Sequence, residues 1–104
     1  MAESFSYKIT TESELLTFDF GQVLSASETI STAVCTIIVL NGVDSSPSSM
    51  LIGSAVISNQ TASQRVANGV DSVTYRLVMT ITTSQGNTYV GLGDLDVYTS
   101  ADVL

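Results

Sequence analysis

The sequence predicts an all-β domain, a single immunoglobulin-like antiparallel β-sandwich of about seven strands. Several stretches alternate apolar residues with hydroxylated ones, which is the pattern of a sheet with one buried face. Gly, Asn and Pro stand between these stretches, where turns are needed. Helical spacing is largely absent, so no helix is expected to cover a sheet. A small closed barrel is the alternative architecture.

Two of the predicted strands lie in the N-terminal half. Residues 16–20 alternate Leu and Phe with Thr and Asp and end at Gly21. After a polar linker, residues 30–40 are apolar on both faces, which predicts a central or doubly covered strand. Asn41-Gly42 readily adopts positive φ, and the strand is expected to end there.

The middle of the chain is less regular. Residues 43–49 contain the only proline and a run of serines, so they predict a surface loop with a turn beginning at Asp44 or Ser45. Residues 50–57 predict a short strand that Gly53 makes bulged or irregular. Residues 61–66 alternate polar with apolar side chains and predict an edge strand.

The last two strands form a hairpin. Residues 73–82 alternate most strongly of all, and the polar, glycine-containing segment 84–87 supplies the turn. The partner strand is 88–97, in which Gly91 and Gly93 predict a bend or a bulge.

The length of 104 residues predicts one domain. We expect the sandwich to span residues 15–98, followed by a tail at 99–104. Residues 1–14 form either an N-terminal arm or the first strand, because Phe5 and Tyr7 alternate with polar residues. An extended arm of this kind can also add to a neighbouring sheet.

Composition excludes several classes of function. The chain has no His, no Trp and one Cys, which excludes His-dependent catalytic triads and structural zinc sites. The net charge of −7 repels phosphate backbones and anionic lipid heads, so neither nucleic acid nor a membrane is an expected partner. The polar start is unlike a signal peptide and favours synthesis in a cytosol.

The residues that could act as a nucleophile or as metal ligands are better explained by structural roles. Cys35 lies among apolar residues with no His to activate it, so it is expected to be a small buried apolar residue. Asp94 and Asp96, with Asp71 or Asp44, could bind calcium, but no ligand-loop spacing is present and charges at a sheet edge deter unwanted pairing. We therefore predict no catalytic residue, no metal site and no cofactor.

The order of several segments resembles one family. The resemblance rests on Leu16-Thr17-Phe18-Asp19-Phe20, Glu28-Thr29-Ile30, the loop from Gly42 to Leu51, Arg65 to Val70, Thr74 to Leu77 and Thr82 to Gly86. In this order they are similar to the small tailed-bacteriophage virion proteins called fiber-tail adaptor proteins. The resemblance extends over residues 16–97.

The resemblance implies a non-enzymatic bacteriophage virion structural protein, assembled in the host bacterial cytoplasm and present in several copies. Its expected partners are the tail or connector and the fiber subunits. A capsid decoration or neck protein is one alternative, and a carbohydrate-binding module using exposed tyrosines is another. Aromatic residues and the loop after residue 42 are the expected contacts: Phe5, Tyr7, Asp44, Pro47, Met50, Tyr89 and Tyr98.

Overall fold

The alternating stretches of the sequence form strands, which confirms the predicted all-β class. The computed structural model describes residues 2–99, and side chains from residue 5 onward. Within that range a 3-10 turn spans Pro47–Met50, and the strands are β1 (Ala2–Ser4), β2 (Lys8–Ile9), β3 (Ser13–Asp19), β4 (Ile30–Asn41), β5 (Leu51–Ser58), β6 (Thr61–Ala67), β7 (Val73–Thr83) and β8 (Thr88–Tyr98). Among residues 2–99, no helix has the length and apolar character needed to span a membrane.

The strands form two sheets that pack as a sandwich. The larger sheet has the order β1-β8-β7-β4, with β2 also on β8, and the smaller has the order β3-β6-β5. All pairs are antiparallel except β1 and β2, which run parallel to β8. This order is consistent with an immunoglobulin-like sandwich, in which such a parallel first segment lies beside the last strand.

The core lies between the two sheets and is built from every second residue. In β7, Val73, Tyr75, Leu77, Met79 and Ile81 are all buried, while their neighbours on the opposite face are more exposed. The smaller sheet covers them with apolar side chains from β3 and β6. The period of two observed in the sequence therefore records which face of each strand meets the other sheet.

The prediction that residues 30–40 form a central or doubly covered strand is wrong. β4 is hydrogen-bonded as a strand only to β7 and ends the larger sheet. Its outer face is exposed, with Val34 at 62% and Ile38 at 49% of full exposure. Apolar residues on both faces were the basis of the prediction, but nothing in the described part of the chain covers the second face.

The prediction of an edge strand at residues 61–66 is also wrong. β6 lies between β3 and β5, and its polar residue Gln64 is buried. The Gln64 amide donates hydrogen bonds to the carbonyls of Ile52 and Gly53, where β5 shifts register against β6. Gln64 thus satisfies backbone groups that the irregular edge strand β5 leaves unpaired, and the predicted irregularity of β5 is confirmed.

Gly91 and Gly93 introduce no bulge into β8, in contrast to one of the two predicted outcomes. The register of β7 with β8 is unbroken from Val73 opposite Val97 to Thr82 opposite Thr88. A Cβ on Gly91 would lie 3.0 Å from the Phe20 ring, and one on Gly93 would overlap the Phe5 ring. These glycines make room for aromatic rings from distant parts of the chain, and the sequence around the glycines does not predict these contacts.

The N-terminal segment adds to the chain's own larger sheet. Phe5 donates its backbone N–H to Asp94, and its ring packs edge-on against Phe18 with a centroid distance of 5.4 Å. Lys8 is buried, and its Nζ donates to the carbonyls of Ile9 at 2.8 Å and Asn68 at 2.6 Å. The ammonium therefore fastens this segment to the loop before β7.

Candidate interaction surface

Strand directions bring several predicted contact residues to one end of the sandwich. The end of β4, the start of β7 and the end of β8 are aligned by their registers. We call this end, formed by residues 42–50, 68–72 and 98–99, the loop end. It carries Asp44, Pro47 and Tyr98, whereas Tyr89 lies near the opposite end. The structure thus brings together only part of the predicted set.

The loop after β4 is held by Asp44. One carboxylate oxygen accepts a 2.9 Å hydrogen bond from the Ser46 N–H, which confirms the predicted turn, and the other accepts one from the Tyr75 hydroxyl at 2.7 Å. Pro47 is half-buried and begins the 3-10 turn. Met50 is completely buried, so it anchors the loop in the core and its prediction as a contact residue is corrected.

Tyr75 links the core to the loop end. Besides donating to Asp44, its hydroxyl accepts a 2.9 Å hydrogen bond from the N–H of Val70, five residues upstream. A tyrosine near the start of this strand, bonded to the preceding backbone, is the tyrosine corner of immunoglobulin-like domains. Burial and the bond to Asp44 raise the pKa of Tyr75 to about 12. The alternation placed Tyr75 in the core but carried no information about its hydroxyl.

The aromatic candidates divide into two groups. Tyr7 is 50% exposed, and its ring lies 6.3 Å from that of Tyr98 at an interplanar angle of 66°. Phe5 and Tyr89 are half-buried and pack against the core. Because the Tyr7 and Tyr98 rings meet edge-on, they do not form the flat platform typical of carbohydrate-binding sandwiches.

A second polar cluster lies at the opposite end, around Glu28. This buried carboxylate accepts hydrogen bonds from the Thr83 hydroxyl, the Asn87 amide at 2.8 Å and the Ser25 N–H at 3.1 Å. Bonds from Thr83, Asn87 and the Ser25 backbone hold the pKa of Glu28 below its usual value. The cluster joins the linker before β4 to the β7–β8 hairpin. Sequence reasoning missed it, because nothing local distinguishes Glu28 from a solvated linker acid.

The remaining candidates for chemistry are engaged in structure. Asp94 forms an ion pair with Arg76 at 2.8 Å, and Asp96 accepts a hydrogen bond from Thr74 at 2.7 Å. Burial raises the pKa of the Cys35 thiol to about 11, which keeps it protonated near neutral pH. Among the side chains described from residue 5 to residue 99, no group of three or more acidic or thiol side chains could hold a metal ion.

Exposed apolar residues concentrate on one side of the molecule. β4 ends the larger sheet and β5 ends the smaller one, and the cleft between these two edges is lined by Ala33, Cys35, Leu51 and Ala55 among others. Of the twelve large apolar side chains exposed in the described part of the chain, seven lie on these two edge strands or on the loop that joins them: Val34, Ile38, Leu40, Val43, Ile52, Val56 and Ile57. We call these seven residues the apolar edge.

The fold is an all-β sandwich of two sheets, consistent with an immunoglobulin-like topology, and its described surface carries a group of exposed apolar residues. A family model described as podophage GP4 fiber-tail adaptor protein gp77 matches residues 8–91, and the chain belongs to this family. The resemblance inferred from the sequence is thereby confirmed, and the chain is a phage structural protein. A search of curated proteins found no match.

One solved structure is similar over 95% of this chain and 18% of its own. It is the 2,6-sialyltransferase of Photobacterium sp. JT-ISH-224 with CMP and lactose, at 14% identity and a TM-score of 0.44. At this level, the similarity carries no argument about activity.

Proposed function

We propose that this protein is a non-enzymatic virion adaptor that joins the tail or connector to the fibers through protein contacts. The observation that carries the proposal is the family match over residues 8–91, which includes nearly the whole sandwich. In this proposal the chain is assembled into the particle in the cytoplasm of the host bacterium and is present in several copies.

An adaptor needs two binding surfaces, and the molecule offers the loop end and the apolar edge, which adjoin at Val43. The loop end presents Tyr98, with the Tyr7 ring packed beside it, and the turn at Pro47; the bonds of Tyr75 to Val70 and Asp44 hold its loops in place. The apolar edge runs along the side of the sandwich. Pre-ordered loops lose little conformational entropy on binding, which favours the loop end as a docking surface.

The state of the reactive side chains supports a role without catalysis. Cys35 carries a raised pKa from burial, and the Glu28 carboxylate is occupied by three donors. A nucleophile or general base needs a free, activated group. Only 12% of the residues are charged, about half the usual share, which suits a chain that is covered by neighbours.

Particle assembly tests the proposal. Phage lacking this protein should form tails that carry no fibers, and cryo-electron microscopy of intact particles should show its density between tail and fibers. Density on the capsid lattice in hundreds of copies would contradict the proposal and support a head decoration protein. Glycan binding that is lost on changing Tyr7 and Tyr98 would support a carbohydrate-binding module.

Point variants test the loop end separately. Tyr7→Ser and Tyr98→Ser should lower the fiber content of purified particles, measured by quantitative mass spectrometry, while the free protein keeps its fold. Leu15→Ser is the control, because Leu15 is 49% exposed, similar to Tyr7, but lies on the outer face of the smaller sheet. An equal loss of fibers with all three variants would exclude a specific role of the loop end.

A further inference from the structure

We propose that Asn41 is a site of spontaneous deamidation, and that Asn68, which stands in the same Asn-Gly dipeptide, is protected from this reaction by Lys8. The inference does not depend on the adaptor role. It rests on the two Asn-Gly pairs of the sequence and on how differently the structure holds the peptide that follows each asparagine.

The reaction uses groups of the chain itself and water. The backbone nitrogen of the glycine attacks the side-chain Cγ of the asparagine. A C–N bond forms, the bond between Cγ and Nδ2 breaks, and ammonia leaves with the proton of the glycine N–H. Water then opens the resulting succinimide at either carbonyl, which gives aspartate or isoaspartate. Because glycine has no Cβ to obstruct the attack, asparagines followed by glycine are the most susceptible.

Two of the four asparagines of the chain meet this requirement, namely Asn41 and Asn68. Asn59 and Asn87 are followed by residues that carry side chains. The amide of Asn87 is in addition hydrogen-bonded to Glu28 at 2.8 Å. The reaction is therefore expected at one or both of the Asn-Gly pairs.

The two pairs are alike in accessibility. Asn41 and Asn68 are both exposed, and within the described part of the chain no hydrogen bond holds the amide of either side chain. Both glycines have positive φ, 98° for Gly42 and 102° for Gly69, and each lies close to buried side chains. Exposure and the packing of the glycine thus do not distinguish the sites, which leaves the peptide between the two residues.

The peptide after Asn68 is fixed by Lys8. Ring closure requires this peptide plane to rotate, because the glycine nitrogen has to reach Cγ. The carbonyl oxygen of the same peptide accepts a 2.6 Å hydrogen bond from Nζ of Lys8, which is a buried residue. Rotation would take from the ammonium the shortest of its three hydrogen bonds, and bonds to charged groups are among the strongest in proteins.

The peptide after Asn41 lies at the end of a strand. Asn41 is the last residue of β4, and the register of β4 with β7 shifts between Val39 and Asn41. No side chain of the described structure donates a hydrogen bond to the Asn41 carbonyl. Backbone at the end of an element opens at a lower free energy than backbone at its centre. The rotation needed for ring closure is therefore easier at Asn41 than at Asn68.

The modification would change the junction of the apolar edge and the loop end. Asn41 lies between Leu40 and Val43, which are both exposed. Either product replaces a neutral amide by a carboxylate, so the net charge of −7 becomes more negative by one unit. Isoaspartate also lengthens the backbone by one carbon atom between β4 and the loop that Asp44 holds.

Peptide mapping by mass spectrometry tests the proposal. The purified full chain is incubated in warm, mildly alkaline buffer, with and without urea, and aspartate and isoaspartate are quantified at each site over time. In the folded protein Asn41 should react at least about tenfold faster than Asn68, the ratio that one hydrogen bond to a charged group supplies. In urea the two sites should react at similar rates, because the fold no longer distinguishes them.

Lys8→Met tests the protecting group directly. In this variant Asn68 should become about as reactive as Asn41, while Asn41 keeps its wild-type rate. Arg65→Met is the matched control, because it removes an exposed cation that does not bond to Asn68. It should leave both rates unchanged, and circular dichroism should confirm that both variants are folded.

Other outcomes overturn the proposal. Equal rates at the two sites in the folded wild type, or a faster reaction at Asn68, would show that the Lys8 bond gives no protection. If Asn41 and Asn68 were equally unreactive in the folded protein while both react in urea, the end of β4 would be as closed as the Asn68 peptide. Should Lys8→Met not fold, the comparison of folded and urea-unfolded wild type decides by itself.

Discussion

At the scale of single residues, the buried polar side chains hold together segments that alternation does not connect. Four polar or charged residues are buried, namely Lys8, Glu28, Gln64 and Thr83. In the part of the chain with described side chains, no buried side-chain nitrogen or oxygen atom lacks a hydrogen-bond partner. Buried polar groups are costly unless they are paired, so each of the four is expected to be sensitive to substitution.

Replacing Glu28 should weaken the fold in a pH-dependent way. The pKa of Glu28 is lowered from its usual 4.5 by its bonds to Thr83, Asn87 and Ser25. The ionised carboxylate therefore stabilises the fold above about pH 4.5, and this contribution is lost as pH falls through the lowered pKa. Glu28→Gln should lower the thermal midpoint by several degrees at pH 7, and the difference from the wild type should shrink on acidification.

Glu14→Gln is the control for that change. Burial and the nearby Glu12 raise the pKa of Glu14, so its charge opposes folding above the usual pKa. The Gln variant at this position should be as stable as the wild type or slightly more stable at pH 7. A fall in thermal midpoint equal to that of Glu28→Gln would mean that the buried network has no special contribution.

Removing the Tyr75 hydroxyl should cost about 1–2 kcal/mol at neutral pH, because the N–H of Val70 and the carboxylate of Asp44 lose a partner. The raised pKa of about 12 adds a second signature. Tyr75 ionises near pH 10 in the unfolded chain and at about pH 12 in the folded protein. The wild type therefore loses the stability contributed by the protonated hydroxyl between about pH 10 and 12. Urea unfolding should show Tyr75→Phe approaching the wild type in this range.

Tyr98→Phe serves for comparison at the same end of the sandwich. Tyr98 is half-buried against Tyr7, and its hydroxyl does not bridge the core to the loop after β4. Loss of its hydroxyl should change the free energy of unfolding by less than about 0.5 kcal/mol. Equal effects of the two variants would show that the Tyr75 hydroxyl has no specific role in holding the loop end.

At the scale of elements, the contrast between protected and unprotected strands organises the surface. β8 receives the N-terminal segment along its free side, and Phe5 from that segment lies over Gly93 and against Phe18. β4 has no such cover in the described part of the chain. The larger sheet therefore has one edge strand that carries the N-terminal segment and one, β4, to which no further strand of the described chain is hydrogen-bonded.

Filling the space at Gly93 should detach the N-terminal segment from β8. A Cβ at this position would overlap the Phe5 ring and lie 3.1 Å from the Phe18 ring. We expect Gly93→Ala to destabilise the protein by about 1–3 kcal/mol. Phe5→Ala removes the clash, so the double variant should be less destabilised than the sum of the two single changes, as a double-mutant cycle would measure. Strict additivity would show that the two residues do not meet.

At the scale of the whole molecule, stability comes from one core shared by two sheets. The buried residues of β7 lie at its centre and contact the side chains of β3 and β6. Neither sheet has another apolar layer of its own in the described structure. Unfolding is therefore expected to be a single cooperative transition, as in most domains of this size.

Two adjacent positions on β7 should show which face stabilises the molecule. Leu77 has no exposed surface, and Leu77→Ala should cost about 2–5 kcal/mol, a large part of the stability of a small domain. Val78 is the next residue, half-buried on the outer face, and Val78→Ala should cost less than about 1 kcal/mol. Guanidinium unfolding measures both. Similar costs would contradict the assignment of the two faces.

Local patterns in the sequence were sufficient to predict the all-β class, the turns after residues 40 and 83, the inward face of β7 and the family. These follow from local chemistry, because alternation with period two and turn-forming residues act over a few positions. The positions of β4 at the edge of its sheet and of β6 in the middle of its sheet were not predicted from local patterns. Whether an apolar outer face is covered, and whether Gln64 is buried, depends on segments that are distant in the sequence.

The packing of the two sheets was needed to show which strands lie at edges, which glycines contact aromatic rings and which polar groups are buried together. Glu28 meets Thr83 and Tyr75 meets Asp44 across 55 and 31 residues of sequence, respectively. Likewise, the apolar edge exists because β4 and β5 end their sheets on the same side. Contacts between distant segments depend on the packing of whole sheets, and no local pattern specifies them.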